Sequence, residues 1–121
     1  WPGMVFPVYH VLADIAEFAA GEVLPVTVSD PLHVQALALR DGDRVRLVLA
    51  NMRDDNANLR VDATGLRDVT QRALNAGTVF AAASDASAFR ESATSIATTN
   101  GIHVTLPPFG LVTIDGNLTT A

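Results

Sequence analysis

Four groups of side chains in this sequence have the types and spacing to do chemistry. His10 and Asp14 stand one helical turn apart beside Tyr9, and a histidine next to a carboxylate is the usual pairing for a general base. No serine or cysteine nucleophile is placed beside them, so a solvated polar helix face is the simpler reading. His10, His33 and His103 supply the three imidazoles of a zinc site in number, but nothing in their spacing supports one. Asp54-Asp55-Asn56 with Asn58 resembles the oxygen-rich start of a calcium loop, since hard cations take carboxylate and amide oxygens. That loop lacks the glycine and the glutamate that complete such a cage, and Asp/Asn clusters are ordinary turn formers. Asn117-Leu118-Thr119 matches a glycosylation acceptor, a short pattern that recurs by chance and is silent in a bacterium.

Composition narrows the classes. The chain has 121 residues, 49% hydrophobic and 17% charged, enough for one domain with a packed core and too apolar for disorder. Its net charge is −5, and the eight basic residues are all arginines, dispersed from Arg40 to Arg90. Without a basic run, nucleic acid is an unlikely partner by charge. There is no cysteine, hence no disulfide and no thiolate metal site. No apolar run approaches the ~20 residues of a membrane span. The opening Trp1-Pro2-Gly3 carries neither an initiating Met nor a charged leader, and it reads as the start of a fragment. Localisation is not read from it; the missing cysteines lean toward the cytoplasm but suit a secreted domain too.

The elements that would position these residues begin with a helix over 7–20. Val8, Val11, Leu12, Ile15 and Ala19 form one apolar stripe, with His10, Asp14 and Glu17 opposite. Pro7 suits its first turn and Gly21 its C-terminal cap. The stripe is expected to pack on the rest of the domain or against a second copy in a homodimer. The period then changes to two. Residues 33–40 and 44–51 flank Asp41-Gly42-Asp43 as a hairpin. A two-residue Asp41-Gly42 turn would pair Ala36 and Ala38 with the leucines of the second strand. A bulged three-residue loop would pair Leu37 and Leu39 with them, and we favour it because larger side chains fill a core better. Further strands are expected at 59–63, 69–74 and 91–99, the last at an exposed edge. Residues 77–90 carry a helical hint, with Ser84-Asp85 as a cap, Phe89 in a short turn, and Val79 and Phe80 docked on the core. Asn100-Gly101 predicts a tight hairpin into 102–106. Pro107 and Pro108 then break the pattern before Leu111, and a strand that bends at two prolines can carry the chain from one sheet to another. The fold class is all-β: an antiparallel β-sandwich of seven or eight strands preceded by one amphipathic α-helix, with residues 1–21 as the helical unit and 22–121 as the sandwich.

The run from Pro7 through His10 to Ile15, the strand ending Leu47-Val48-Leu49-Ala50-Asn51 and the corner Leu106-Pro107-Pro108 occur in an order that carries a resemblance. They resemble the last barrel helix and C-terminal sandwich of (β/α)8 glycosidases of the arabinofuranosidase and glucosylceramidase type. With the linker Val28-Ser29-Asp30-Pro31-Leu32, the chain is closer still to the C-terminal part of bacterial D-apionate lactonases. The resemblance implies a sugar or sugar-lactone hydrolase whose catalytic carboxylates, on barrel strands four and seven, precede Trp1. It also implies that Trp1 falls near the end of the eighth barrel strand, where an aromatic face can stack on a sugar; a terminal residue with no such role is the simpler alternative.

The expectation is therefore a non-catalytic sandwich that stabilises a barrel-type carbohydrate-active hydrolase. No catalytic, substrate-binding or metal residue and no cofactor is assigned to it. The barrel of the same polypeptide is the expected partner, with no nucleic acid or membrane. Two rivals are a carbohydrate-binding module and an independent immunoglobulin-like interaction domain. Aromatics at 6%, with phenylalanines that mostly suit core positions, disfavour the first. The helix is left unexplained by the second.

Overall fold

The computed structural model describes residues 8–62, 65–75, 77–96 and 101–119, with backbone alone for Val8, Tyr9, Val79 and Phe80. Trp1, Phe6, Pro7, Ala63 and Asn100 lie outside these residues, as do the expectations placed on them. The elements are α1 (Val8–Ala16), β1 (Glu22–Leu24), β2 (Val34–Asp41), β3 (Arg44–Asn51), β4 (Ala57–Val61), β5 (Leu66–Leu74), α2 (Val79–Ser84), α3 (Ala86–Arg90), β6 (Thr94–Ser95), β7 (Ile102–Leu106) and β8 (Leu111–Leu118). Every strand pairing is antiparallel. Six strands form one sheet in the order β1-β2-β3-β8-β5-β6, and β4 with β7 form a second. The expected all-β sandwich with an N-terminal helix is what the chain builds.

The main core lies between the sheets. Val34, Leu49, Val112 and Ile114 of the large sheet meet Ala57, Ile102, Val104 and Leu106 of the small one. The opposite face of the large sheet is buried as well: Leu39, Val48, Arg46, Arg72 and Thr113 all point there and are buried. Two covered faces account for the nearly continuous apolar run of β2, because neither side of that strand sees much water.

This two-sided burial decides the hairpin. Asp41 pairs with Arg44 across a two-residue Gly42-Asp43 turn, so Ala36 pairs with Leu49 and Ala38 with Leu47. The bulged loop favoured above is not formed. Leu37 and Leu39 go to the second face, where Leu39 is buried and Leu37 half-buried, so side-chain size did not discriminate between registers. Gly42 has a φ of +62°, which suits the first central position of a right-twisting hairpin.

The C-terminal half differs in one connection. β6 pairs with β5 in the large sheet and β7 with β4 in the small one. The expected 91–99/102–106 hairpin is thus a crossover, and of the edge strand only Thr94–Ser95 is formed among the described residues. Pro107 and Pro108 carry the chain back from β7 to β8 in the middle of the large sheet, as a donor-poor corner should. Asn51 holds this corner. Its buried amide nitrogen donates to the carbonyls of Leu106 (3.2 Å), Pro107 (3.0 Å) and Asp55 (2.7 Å), and its oxygen accepts from the Arg53 N–H. The helical hint at 77–90 resolves into two short helices, with the Asp85 carboxylate capping α3 through the Ala88 N–H at 3.2 Å and Phe89 buried.

Candidate functional site: an arginine cluster closed by helix α1

His10 and Asp14 share one face of α1 because they are one helical turn apart, and Glu17 follows just past its end. That face turns inward, against expectation. His10 is 2% exposed and Asp14 1%, whereas Leu12 is 60% exposed and Ile15 39%. Of the apolar stripe read from the sequence, Val11 is half-buried and Leu12, Ile15 and Ala19 are exposed; of the polar face expected to be solvated, only Glu17 is exposed. α1 is also shorter than expected, ending at Ala16, and residues 17–20 continue as turns. Gly21 follows because β2 passes close by: a Cβ there would lie 2.0 Å from the Arg40 carbonyl oxygen.

What draws the polar face in is a set of three arginines from three elements. Asp14 accepts from Arg72 (2.5 Å) and Arg90 (2.6 Å) on one oxygen and from the Thr113 hydroxyl (2.6 Å) on the other. Arg46 donates to the Asp14 carbonyl (2.9 Å), to Glu17 (2.6 Å) and, with two nitrogens at 2.7 and 2.9 Å, to Asp115. Arg90 also reaches Glu17 at 2.8 Å and the His10 carbonyl at 3.2 Å. Rings pack over the cations: Phe18 lies 4.8 Å from the Arg46 guanidinium and 4.6 Å from that of Arg44, and Phe89 lies 5.6 Å from that of Arg72. Phe89 also meets His10 edge-on at 4.6 Å.

The electrostatics follow from these contacts. Burial alone would raise the Asp14 pKa, but the Thr113 and Arg90 hydrogen bonds and the Arg72 and Arg90 charges outweigh it and hold the group below its ordinary value. Glu17 is lowered in the same way, burial being overcome by Arg46 and Arg90. Arg46 is held above its ordinary value by Asp115 and Glu17 in spite of burial. Carboxylates that stay ionised and whose oxygens are spent on guanidinium groups make poor proton acceptors. His10 does not serve Asp14 as a catalytic partner either: its Nε2 lies 2.7 Å from the Ala82 carbonyl, while Asp14 is given over to the arginines and Thr113. The arrangement is a joint, built to lock α1 onto the sheet.

The other sequence candidates are dispersed. His33 precedes β2 and lies 3.3 Å from Asp55, and His103 is exposed on β7, so the three histidines stand on separate parts of the fold. Among the described residues, no group of three or more His, Cys, Asp or Glu side chains is placed to hold a metal. Asp55 instead faces His33 and Arg53. Asn117 sits near the end of β8. Phe18 and Phe89 are buried as expected, but Phe109 is 67% exposed beyond the proline corner. The arginine cluster itself escaped the sequence reading, because Arg46, Arg72 and Arg90 meet only through the β3-β8-β5 order. Its one local signal is an arginine set between Val45 and Leu47 in a buried strand. No described helix is long and apolar enough to cross a membrane.

Comparison with known proteins agrees with this architecture. The chain superposes on a glycoside hydrolase family 30 endoxylanase from Clostridium papyrosolvens with a TM-score of 0.63 at 15% identity, covering 89% of this chain and 27% of the endoxylanase. A family 30 subfamily 8 xylanase from Clostridium acetobutylicum gives 0.61 at 19% identity, again over 89% and 27%. A β-porphyranase of family 86 from Bacteroides plebeius gives 0.58 at 19%, over 84% of this chain and 17% of that one. These likenesses concern the fold, and the chain spans about a quarter of the two xylanases. No curated protein matches it in sequence. Residues 31–114, from just before β2 into β8, match the D-apionate lactonase C-terminal immunoglobulin-like domain. With well over half its length so matched, the chain belongs to the family of C-terminal immunoglobulin-like domains of D-apionate lactonases.

Proposed function

We propose that this domain is the non-catalytic sandwich of a barrel-type carbohydrate-active hydrolase, closest in kind to a sugar lactonase, and that it braces the barrel through α1. One observation carries the reading: α1 commits its polar face to the sandwich and leaves Leu12 and Ile15 outward. A domain that worked alone would gain by the opposite orientation, since each fully buried aliphatic side chain contributes roughly 1.5–3 kcal/mol. Val23 and Val26, also exposed, extend the apolar surface along the linker. In this reading α1 is the last helix of the preceding barrel, residues 22–121 are the sandwich, and the reacting groups belong to the barrel.

The test is made in the parent enzyme. Leu12→Ser/Ile15→Ser should lower its melting temperature and soluble yield while leaving kcat/KM per folded molecule unchanged. Unchanged stability of the parent enzyme would overturn the reading. Self-association of the 121-residue chain that disappears in the same variant would give the face to a homodimer instead. The carbohydrate-module rival draws on Phe109, the exposed ring among the three described ones. Retardation of the chain in a polysaccharide gel, abolished by Phe109→Ala, would decide for it; we expect no retardation.

A further inference from the structure

His33 holds a junction between two segments. It closes the turn that leads into β2, where its N–H donates to the Asp30 carbonyl at 3.0 Å, and its own carbonyl accepts from the Met52 N–H at 2.7 Å. The entry of β2 and the start of the β3–β4 loop are thereby tied together. The ring is 16% exposed, and its Nε2 is buried. Among the described residues it is the one buried side-chain nitrogen or oxygen without a hydrogen bond. An orphan of that kind costs free energy unless its surroundings compensate it in another way.

Those surroundings hold two carboxylates, one at each ring nitrogen. Asp55 Oδ1 of the β3–β4 loop lies 3.3 Å from Nε2, off the line of a hydrogen bond, and Asp30 Oδ2 lies 3.8 Å from Nδ1. A carboxylate only accepts. A neutral imidazole has one proton, so whichever nitrogen carries it, the other turns a lone pair on an acceptor. The imidazolium presents an N–H to both. The loop also carries Arg53, exposed and 3.5 Å from Asp55, with the exposed Asp54 between them in the chain. Residues 107–110, tied in by the Phe109 N–H on the Arg53 carbonyl at 3.1 Å, are uncharged, as are Ala57 and Asn58 at the start of β4. The arrangement suits the charged ring.

We propose that His33 is a proton-operated latch: with its ring charged, it draws the β3–β4 loop, through Asp55, onto the turn that carries Asp30. With the ring neutral that attraction is lost, and the loop is held by the Asn51 side chain and backbone bonds. The joined segments bring Leu32, Met52 and Phe109 to this end of the sandwich, all exposed. The proton therefore sets how rigidly that apolar end is presented. An ordinary histidine is charged at about pH 5 and neutral at about pH 8, and an ordinary carboxylate is ionised at both. The latch is closed at the first pH and open at the second. Its sense is opposite to that of the arginine joint, which acid weakens. The latch stands independently of the function proposed above.

The test compares thermal melts of the wild-type 121-residue chain and its His33→Gln variant at the two pH values. Taking the difference between the chains cancels the other titrating groups. At about pH 5 the wild type should melt about 2–4 °C above the variant, and at about pH 8 within about 1 °C of it. Asp55→Asn, at an exposed position, should remove about half or more of the wild-type advantage at the lower pH. Arg53→Gln, which frees Asp55 of its competitor, should enlarge it. Amide exchange corrected for intrinsic rates should show residues 53–55 losing protection severalfold from the lower to the higher pH in the wild type and not in His33→Gln. Unchanged β8 protection in every chain shows that the fold survives. An equal melting difference at both pH values would mark a ring that only packs and would overturn the proposal. An Asp55→Asn chain that keeps the full pH dependence would overturn it too.

Discussion

Replacing Asp14 by alanine removes the one carboxylate that α1 sets against Arg72 and Thr113. The other two arginines keep anionic partners: Arg46 retains Asp115 and Glu17, and Arg90 retains Glu17. Arg72 is left with the Arg90 carbonyl at 3.0 Å while its side chain remains 6% exposed. Breaking a buried ion pair from one side costs about 3–5 kcal/mol, most of it the penalty of the stranded charge. For a domain of this size that is a large part of the total stability and a melting temperature lower by roughly 10–20 °C. Differential scanning calorimetry of the 121-residue chain measures it. Because the penalty resides mainly on Arg72, Asp14→Ala/Arg72→Met should recover much of the loss, giving a coupling of about 1–3 kcal/mol in a double-mutant cycle. The pH dependence has a definite sign. The folded pKa of Asp14 lies below its ordinary 3.8 and that of Glu17 below its ordinary 4.5. Their stabilisation is fully present above those ordinary values and is lost as pH falls through the lower folded ones. Asp14→Asn should therefore flatten the acid limb of stability below about pH 4. Additive single-mutant losses, or an Asp14→Ala chain within about 0.5 kcal/mol of the parent, would refute the reasoning.

Other variants check separate parts of the fold. Asn51→Ala should cost roughly 1–3 kcal/mol in a urea melt, because the carbonyls of Leu106, Pro107 and Asp55 lose their shared donor at the proline corner. Gly21→Ala should loosen β1 from β2, seen as faster amide exchange at residues 22–24, since the added methyl meets the Arg40 carbonyl. Leu12→Ser should change the unfolding free energy of the isolated chain by no more than a surface substitution does, about 0.5 kcal/mol, in contrast to its effect in the parent enzyme.

The parts of the fold that were legible in the sequence are those decided by local chemistry. Pro107-Pro108 had to interrupt a ladder, and Asp85 had the right side chain to open α3. The misreadings share a cause, which is that burial is decided by neighbours remote in the chain. An apolar stripe on α1 predicts an inward face only if the partner is apolar; here the nearest partner is a set of arginines from β3, β5 and α3. The β2–β3 register went wrong because weighing alanine against leucine presumes one covered face, and the large sheet is covered on both. Asn100-Gly101 looked like a hairpin, yet the described strands on either side of it belong to different sheets, β6 pairing with β5 and β7 with β4. As for the candidate site, its carboxylates and histidine were visible, but the cations that set their role were not.

The charge joint also fixes where this chain can be cut and rejoined. A crossover in the linker after Gly21 would give the sandwich to a new barrel while leaving Asp14 and Glu17 behind, so Arg72 and Arg90 would arrive without their counter-ions. A crossover ahead of α1 carries a neutral, finished piece. Wherever the chain is rejoined, helix and sandwich therefore travel as one electrostatic unit: the polar side of α1 is tied to the arginines, and Leu12 and Ile15 on its outer side take no part in that joint.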